Sequence, residues 1–298
     1  MLAFRAARVR PLLVLAAAFA LASCGSGGAD PVGPVRPADP NRYSEAELAY
    51  FGEIAFGFEF GDASPVVRKW QTDVRVAVHG DPTAEDREAL ATVMRELTAA
   101  IGGPVRVADA GAEPANADVY YVPRARFTAV YSQAVPNNDG EFWVSWDGTD
   151  HLTHALVLIG TDVEARFRRH LIREELTQSM GLAQDSPRYP DSMFYSGYTD
   201  TPAYSAMDRA LIEMLYRDEV QAGMTDWQAA SVLRTLTRRP ATVAGLGGGV
   251  ASRAPWAGRG TTPGVVVGVG GGSGGSAGGA WRVGGPAWGA AAGAYLAH

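Results

Sequence analysis

Apolar residues in this chain recur at two periods, and the joints between the periodic segments carry cap and turn residues. Ser44-Glu-Ala-Glu47 forms a capping box ahead of Leu48, Phe51 and Ile54, which share one helical face. From Trp70 to His79 the pattern changes to alternation, with Val74, Val76 and Val78 on one side, and this predicts a strand with one buried face. Asp81-Pro82-Thr83 opens a long helix. Its Leu90, Val93, Leu97 and Ile101 repeat at helical spacing until Gly102-Gly103-Pro104 stops it. Strands are expected at Val105–Ala108 and Val119–Val122, a hairpin region around Phe142–Trp146, and an apolar strand at Ala155–Ile159. Ser205 with Asp208 is close to a capping box for a last helix, whose apolar face is Met207, Leu211, Met214 and Leu215.

Both ends are of different material. Arg5, Arg8 and Arg10, the short apolar run from Leu12 to Ala20, and Leu21-Ala22-Ser23-Cys24 have the layout of an export signal, too short to span a bilayer as a mature helix. Leu-Ala-Ser-Cys resembles a bacterial lipobox, which implies acylation of Cys24. Gly25 rather than Asp follows it, which implies an outer-membrane lipoprotein facing the periplasm. The alternative is plain secretion with an incidental cysteine. Gly25 to Pro40 reads as a flexible tether. From Ala244 onward, glycine runs such as Gly247–Gly249 and Gly270–Gly272 lack a periodic apolar pattern, so disorder is expected, with Trp256, Trp281 and Trp288 scattered through it. The expected organisation is a signal peptide at 1–23, a tether at 24–43, a globular domain at 44–240 and a Gly-rich disordered tail at 241–298.

Composition adds limits. With 298 residues and 47% hydrophobic content, the chain has material for one mid-sized domain plus tails. Cys24 is the one cysteine, so no disulfide can form within the chain. Loss of the three N-terminal arginines takes the formal net charge from -6 to -9, and no basic stripe is present to neutralise phosphates, which excludes a nucleic-acid partner.

The chemistry is concentrated in Glu174-Glu175-Leu-Thr-Gln178-Ser-Met-Gly181-Leu-Ala-Gln184-Asp185. In H-E-x-x-H, two imidazoles one turn apart grip a metal and the glutamate between them acts as general base on metal-bound water. The longer H-E-x-x-H-x-x-G-x-x-H form uses a glycine to turn a third histidine back to the metal. Here Glu174, Gln178 and Gln184 stand at the ligand positions, Glu175 at the base and Gly181 at the turn. Downstream come Asp191-Ser-Met193-Phe-Tyr195 and the helix capped by Ser205 that closes with Leu215-Tyr216.

This ordered set resembles the metzincin zinc peptidases with their histidines replaced. The resemblance implies an α+β, metzincin-like (zincin) domain: a twisted mixed sheet with a long helix, the signature helix, a Met-turn at Met193 and a C-terminal helix, with Gly181, Met193 and Tyr195 structural. More closely, Arg173-Glu-Glu-x-Thr-Gln178-x-x-Gly-Leu182 resembles an uncharacterised bacterial family of exported proteins, a domain of unknown function.

Zinc in peptidases favours imidazole and thiolate, and neutral amides compete poorly with water. No cofactor is therefore expected, the alternative being a divalent metal other than zinc held by Glu174, Glu175 and Asp185. His170 lies one helical turn before Glu174. The plainer reading makes it a partly exposed histidine beside Arg168 and Arg169. His151 and His154 would serve a metal only on a helix, and the residues after them read as a strand. Glu174 and Gln178 are expected to hydrogen-bond the loop bearing Met193. The favoured function is a non-catalytic pseudopeptidase whose cleft binds a peptide or an envelope protein. The alternatives are a hydrolase using Glu175 as base and a purely structural envelope lipoprotein.

Overall fold

The computed structural model describes residues 39–57, 65–239 and the backbone of a strand at 264–269. The signal peptide, Cys24, most of the tether and the rest of the tail lie outside the described residues. The elements are α1 (Glu45–Phe56), β1 (Lys69–Trp70), β2 (Val74–Gly80), α2 (Ala84–Ile101), β3 (Val107–Asp109), β4 (Ala117–Val122), a 3-10 turn at Arg124–Arg126, α3 (Phe127–Val130), β5 (Gly140–Trp146), β6 (His151–Gly160), α4 (Ala165–Gln178), α5 (Ala206–Leu215), α6 (Asp226–Leu233) and β7 (Gly264–Val269). The class is α+β.

Helix starts follow the sequence closely. Ser44 with Glu47, Thr83 with Asp86, and Ser205 with Asp208 each close a reciprocal capping box. The helix α2 ends at Gly102, whose left-handed φ of 55° lets its N–H reach Thr98 O.

One sheet of order β3-β2-β4-β6-β5-β7 organises the domain, with β1 beside β6. The pairs β2/β3, β2/β4 and β4/β6 are parallel, whereas β5 runs antiparallel to β6. Strand parity separates two cores. Val76, Val119, Val157 and Ile159 belong to the large core shared with the helices, while Leu156, Leu158 and Trp143 form a smaller one with Phe127 and Ala134 on the opposite face. Among the described residues, no helix is long and apolar enough to cross a membrane.

Several expectations need correction. The single strand at Trp70–His79 is two: Lys69–Trp70 pairs with the start of β6, and Val74–Gly80 pairs with β3 and β4. Trp70 is drawn away because its indole Nε1 donates to Ser179 O at 3.0 Å. The strand expected at Val105–Ala108 lies at Val107–Asp109, and the hairpin extends through Asp147, whose carboxylate accepts from the N–H groups of Thr149 and His151. Helix α6, capped by Thr225 and Gln228, is an addition to the expected elements. Within the tail, Gly264–Val269 is not disordered but pairs along the whole of β5 from Glu141 to Trp146. Its Val-Val-Val run has strand propensity, and main-chain bonding to an edge requires no buried alternation.

Candidate functional site

Helix α4 carries the Glu-Gln signature through the middle of the domain, and its residues divide by face. Arg173 pairs with Glu96 of α2 and lies 4.7 Å over the Tyr204 ring, while Thr177 Oγ1 is 2.6 Å from Tyr204 Oη. These two signature residues tie the helix to its neighbours. Glu174, Glu175 and Gln178 are all buried and look elsewhere.

Glu174 Oε2 lies 3.4 Å from His170 Nε2, and His170 Nδ1 donates to Thr201 O at 3.1 Å. His170 is 2% exposed, so the reading of a partly exposed histidine beside Arg168 and Arg169 is corrected. Burial alone would lower its pKa. The hydrogen bond and charge of Glu174 outweigh that and raise it above the ordinary histidine value.

Gln178 Nε2 donates to Asp185 Oδ1, and Gln178 Oε1 has no partner among the described residues. Gln184 instead turns to α1: its N–H donates to Ile54 O at 3.2 Å, and its side chain packs against Gly57, where a Cβ would come within 2.6 Å of its Cγ. Gln184 Nε2 donates to Asp185 O at 3.0 Å. Thus Asp185, rather than Gln184, meets the amide at position 178.

Glu175 is fully buried against the start of β5. A Cβ on Gly140 would lie 2.6 Å from Glu175 Oε1, so the missing side chain makes room for the carboxylate. Gly181 has φ of 106°, and a Cβ there would fall 2.1 Å from Arg68 O. Both facts require glycine where the chain leaves α4. The end of α4 is closed by Tyr216 Oη, which donates to Met180 O at 2.9 Å, and by the Trp70 indole on Ser179 O.

The Met193 loop is held by α5, not by Glu174 or Gln178, and that expectation is corrected. Asp208 Oδ2 accepts from Met193 N at 3.1 Å and Ser205 N at 2.8 Å, and Asp208 Oδ1 accepts from Ser192 Oγ at 2.6 Å. Tyr50 of α1 donates to Ser192 Oγ at 3.0 Å. The loop returns to the exit of α4 through Ser186 N to Phe194 O (2.8 Å) and Ser196 N to Ser186 O (3.1 Å). Met193 is buried, and half-buried Tyr195 borders Gly197.

Two polar groups on the opposite face of the sheet went unread in the sequence. Asp118 of β4 accepts from His79 Nε2 at 2.7 Å through one oxygen and from His154 Nε2 at 2.9 Å through the other, linking β2, β4 and β6. Burial would raise the Asp118 pKa, but the two imidazoles hold it well below the usual carboxylate range. His151, by contrast, bonds Thr149 Oγ1, so the two β6 histidines serve separate partners. Glu141 is the second group. It is fully buried and accepts from Val135 N at 2.9 and 3.2 Å, and burial pushes its pKa up to about 8. One acidic residue in Gly-Glu-Phe-Trp-Val gives no sequence signal for this.

Among the described residues, no three or more His, Cys, Asp or Glu side chains form a group able to hold a metal ion. What the site offers is a set of buried carboxylates and an amide on α4, whose C-terminal end is held by Tyr216 and Trp70. The class so defined is an α+β domain built around a buried Glu-Glu-x-x-Gln helix. The chain matches the family described as a protein of unknown function, DUF2927, over residues 45–235, and belongs to it. No curated protein matches the chain.

Proposed function

We propose that this is a metzincin-like domain that has given up peptidase chemistry and works as a non-catalytic binding module for an extended peptide or an envelope protein. A lipid on Cys24 would hold it at the outer membrane, facing the periplasm. One observation carries the reading: the three positions that would hold zinc are occupied by side chains already engaged with other protein groups, Glu174 with His170, Gln178 with the Asp185 carboxylate, and Gln184 with Asp185 O and the end of α1. Without imidazoles there is no Lewis acid to bring the pKa of water near neutrality, and Glu175 has no activated water on which to act. The order of strand, long helix, strands, signature helix, methionine loop and capped final helix supports the metzincin likeness, as does the glycine requirement at 181.

Elemental mass spectrometry and a peptide-hydrolysis assay on the purified protein test this reading. The expected result is no stoichiometric zinc and no turnover. The gain-of-function test is Glu174→His with Gln178→His, made both with Gln184→His and with Asp185 as the retained third donor. At least one of these folded variants should acquire zinc. If neither does, the metzincin likeness is wrong. A metal in the wild type, with hydrolysis lost on Glu175→Gln, would replace the binding module with a hydrolase. Cys24→Ser should release the protein from outer-membrane lipid or block its processing, and a freely soluble wild type with unmodified Cys24 would remove the anchor.

A further inference from the structure

Between the methionine loop and α5 the chain crosses α4 as a short strap, residues 197–203, and the posts on either side of it are fixed. Ahead of it, Ser196 N donates to Ser186 O at 3.1 Å. Behind it, buried Tyr204 meets Thr177 and Arg173 of α4. Between the posts the strap reaches α4 through Tyr198, Asp200 and Thr201. The Tyr198 ring leans on Phe167 at 4.5 Å, Asp200 pairs with Arg166 at 3.1 Å, and Thr201 O accepts from His170 Nδ1 at 3.1 Å. The first two contacts stand in water, since Tyr198 is 54% exposed and the Arg166 and Asp200 side chains are 57% and 48% exposed, so they contribute little to closure. The His170 contact is buried.

That buried contact is conditional on a proton. His170 Nε2 lies 3.4 Å from Glu174 Oε2 while Nδ1 faces Thr201 O, so both ring nitrogens point at acceptors. A neutral imidazole has one N–H and cannot serve both. The carboxylate keeps that one hydrogen at Nε2, because a bond to a charged acceptor is the stronger, and the lone pair left on Nδ1 then meets those of Thr201 O. Two carboxylates face the ring, Glu174 from its own helix and Asp200 from the strap, and both favour the doubly protonated form against the cost of burial. The acids of α2 that reach α4, Asp86 and Glu96, are engaged by Arg168 and Arg173, and the sheet adds apolar Phe142, Val157 and Ile159 to the shared core.

We propose that residues 197–203 are a pH-gated lid over the signature helix: an imidazolium at His170 latches it shut, and loss of that proton frees it to swing off Phe167, His170 and Glu174. A ring whose pKa is raised in the closed form contributes fully to closure below its open-form value, near 6.5, and that contribution is lost as pH rises through the closed-form value. The lid is therefore shut under mildly acid conditions and opens under alkaline ones. This holds whether or not the domain binds a peptide.

Chymotrypsin cleavage between Tyr198 and Thr199 of the full-length chain, divided by the rate on a free peptide of residues 196–202 at the same pH, reads the open fraction. In the wild type this ratio should rise at least about tenfold between about pH 6 and about pH 9. In His170→Gln, with its fold checked by circular dichroism, the ratio should already be high at the acid end and nearly flat. Arg166→Ala removes an exposed contact outside the latch. It should raise the ratio by a similar factor throughout and keep the pH step, so the wild type and this variant decide the matter even where His170→Gln does not fold. A flat wild-type ratio, or a pH step that persists in folded His170→Gln, would overturn the latch. Ring nitrogen NMR shifts showing His170 neutral at about pH 6 while Tyr198 is protected from cleavage would overturn it as well.

Discussion

Glu141 shows how far one buried group can set the pH response of the molecule. It sits on the sheet face away from the helices, in the small core with Trp143 and Leu158, and burial raises its pKa to about 8. A carboxylic acid with a raised folded pKa stabilises the fold fully below its unfolded value, and that contribution is lost as pH rises through the folded value. The window here runs from about 4.5 to about 8. Across it the slope approaches ~1.4 kcal/mol per pH unit, which is an upper bound. Glu141→Gln keeps the shape and removes the titration. Urea unfolding at several pH values should show the variant gaining on the wild type by a few kcal/mol between pH 5 and pH 8, and by no more above that. A constant difference over the window would show that Glu141 is ionised in the fold.

At the scale of elements, the exit of α4 carries the tightest constraint. Gly181 combines φ of 106° with a carbonyl oxygen 2.1 Å from where a Cβ would stand, so Gly181→Ala must move backbone of either the α4 exit or the Arg68 strand entry. We expect a loss of at least about 3 kcal/mol, measured by denaturant midpoint, because strain at positive φ and backbone overlap add. A loss under 1 kcal/mol would mean the turn relaxes freely. This glycine was legible in the sequence, as were the capping boxes of α1 and α5, because each depends on residues within three or four positions. The partners of the signature residues were not. Gln178 finds Asp185 only because the turn at Gly181 brings the chain back, and Met193 is held by Asp208, a capping residue that doubles as the anchor of another loop. The split of Trp70 from Val74–Gly80 was also hidden, since a continuous apolar alternation does not show that its two ends pair with different strands. Glu141 was invisible for a similar reason: its burial is decided by a loop at Val135, six positions back, that closes over an otherwise open sheet face.

For the molecule as a whole, the question is what keeps α4 in place while its inner face carries buried carboxylates. Two arginines reach α2 from it, and they are unequal. Arg168 Nε meets Asp86 Oδ1 at 2.8 Å, with both side chains under one-tenth exposed, and the guanidinium also donates to Thr161 O and Val163 O. Arg173 meets Glu96, whose side chain is 30% exposed. Removing one partner of a buried pair strands a charge, at about 3–5 kcal/mol, whereas a partly solvated acid can turn to water at a cost nearer ~1 kcal/mol. Arg168→Ala should therefore be clearly more destabilising than Arg173→Ala, although the latter belongs to the signature. The acid supplies a further check. Burial would raise the Asp86 pKa, and the bonds from Arg168 and Thr83 outweigh this and lower it, so its stabilising contribution is present above the unfolded value near 3.8 and lost as pH falls through the folded one. Once Arg168 is gone, the stranded carboxylate is relieved by protonation. The difference between wild type and Arg168→Ala should be largest at neutral pH and should shrink toward pH 4, read from urea midpoints. A difference that is flat with pH would place the role of Arg168 in its packing and its carbonyl contacts, and not in the buried pair with Asp86.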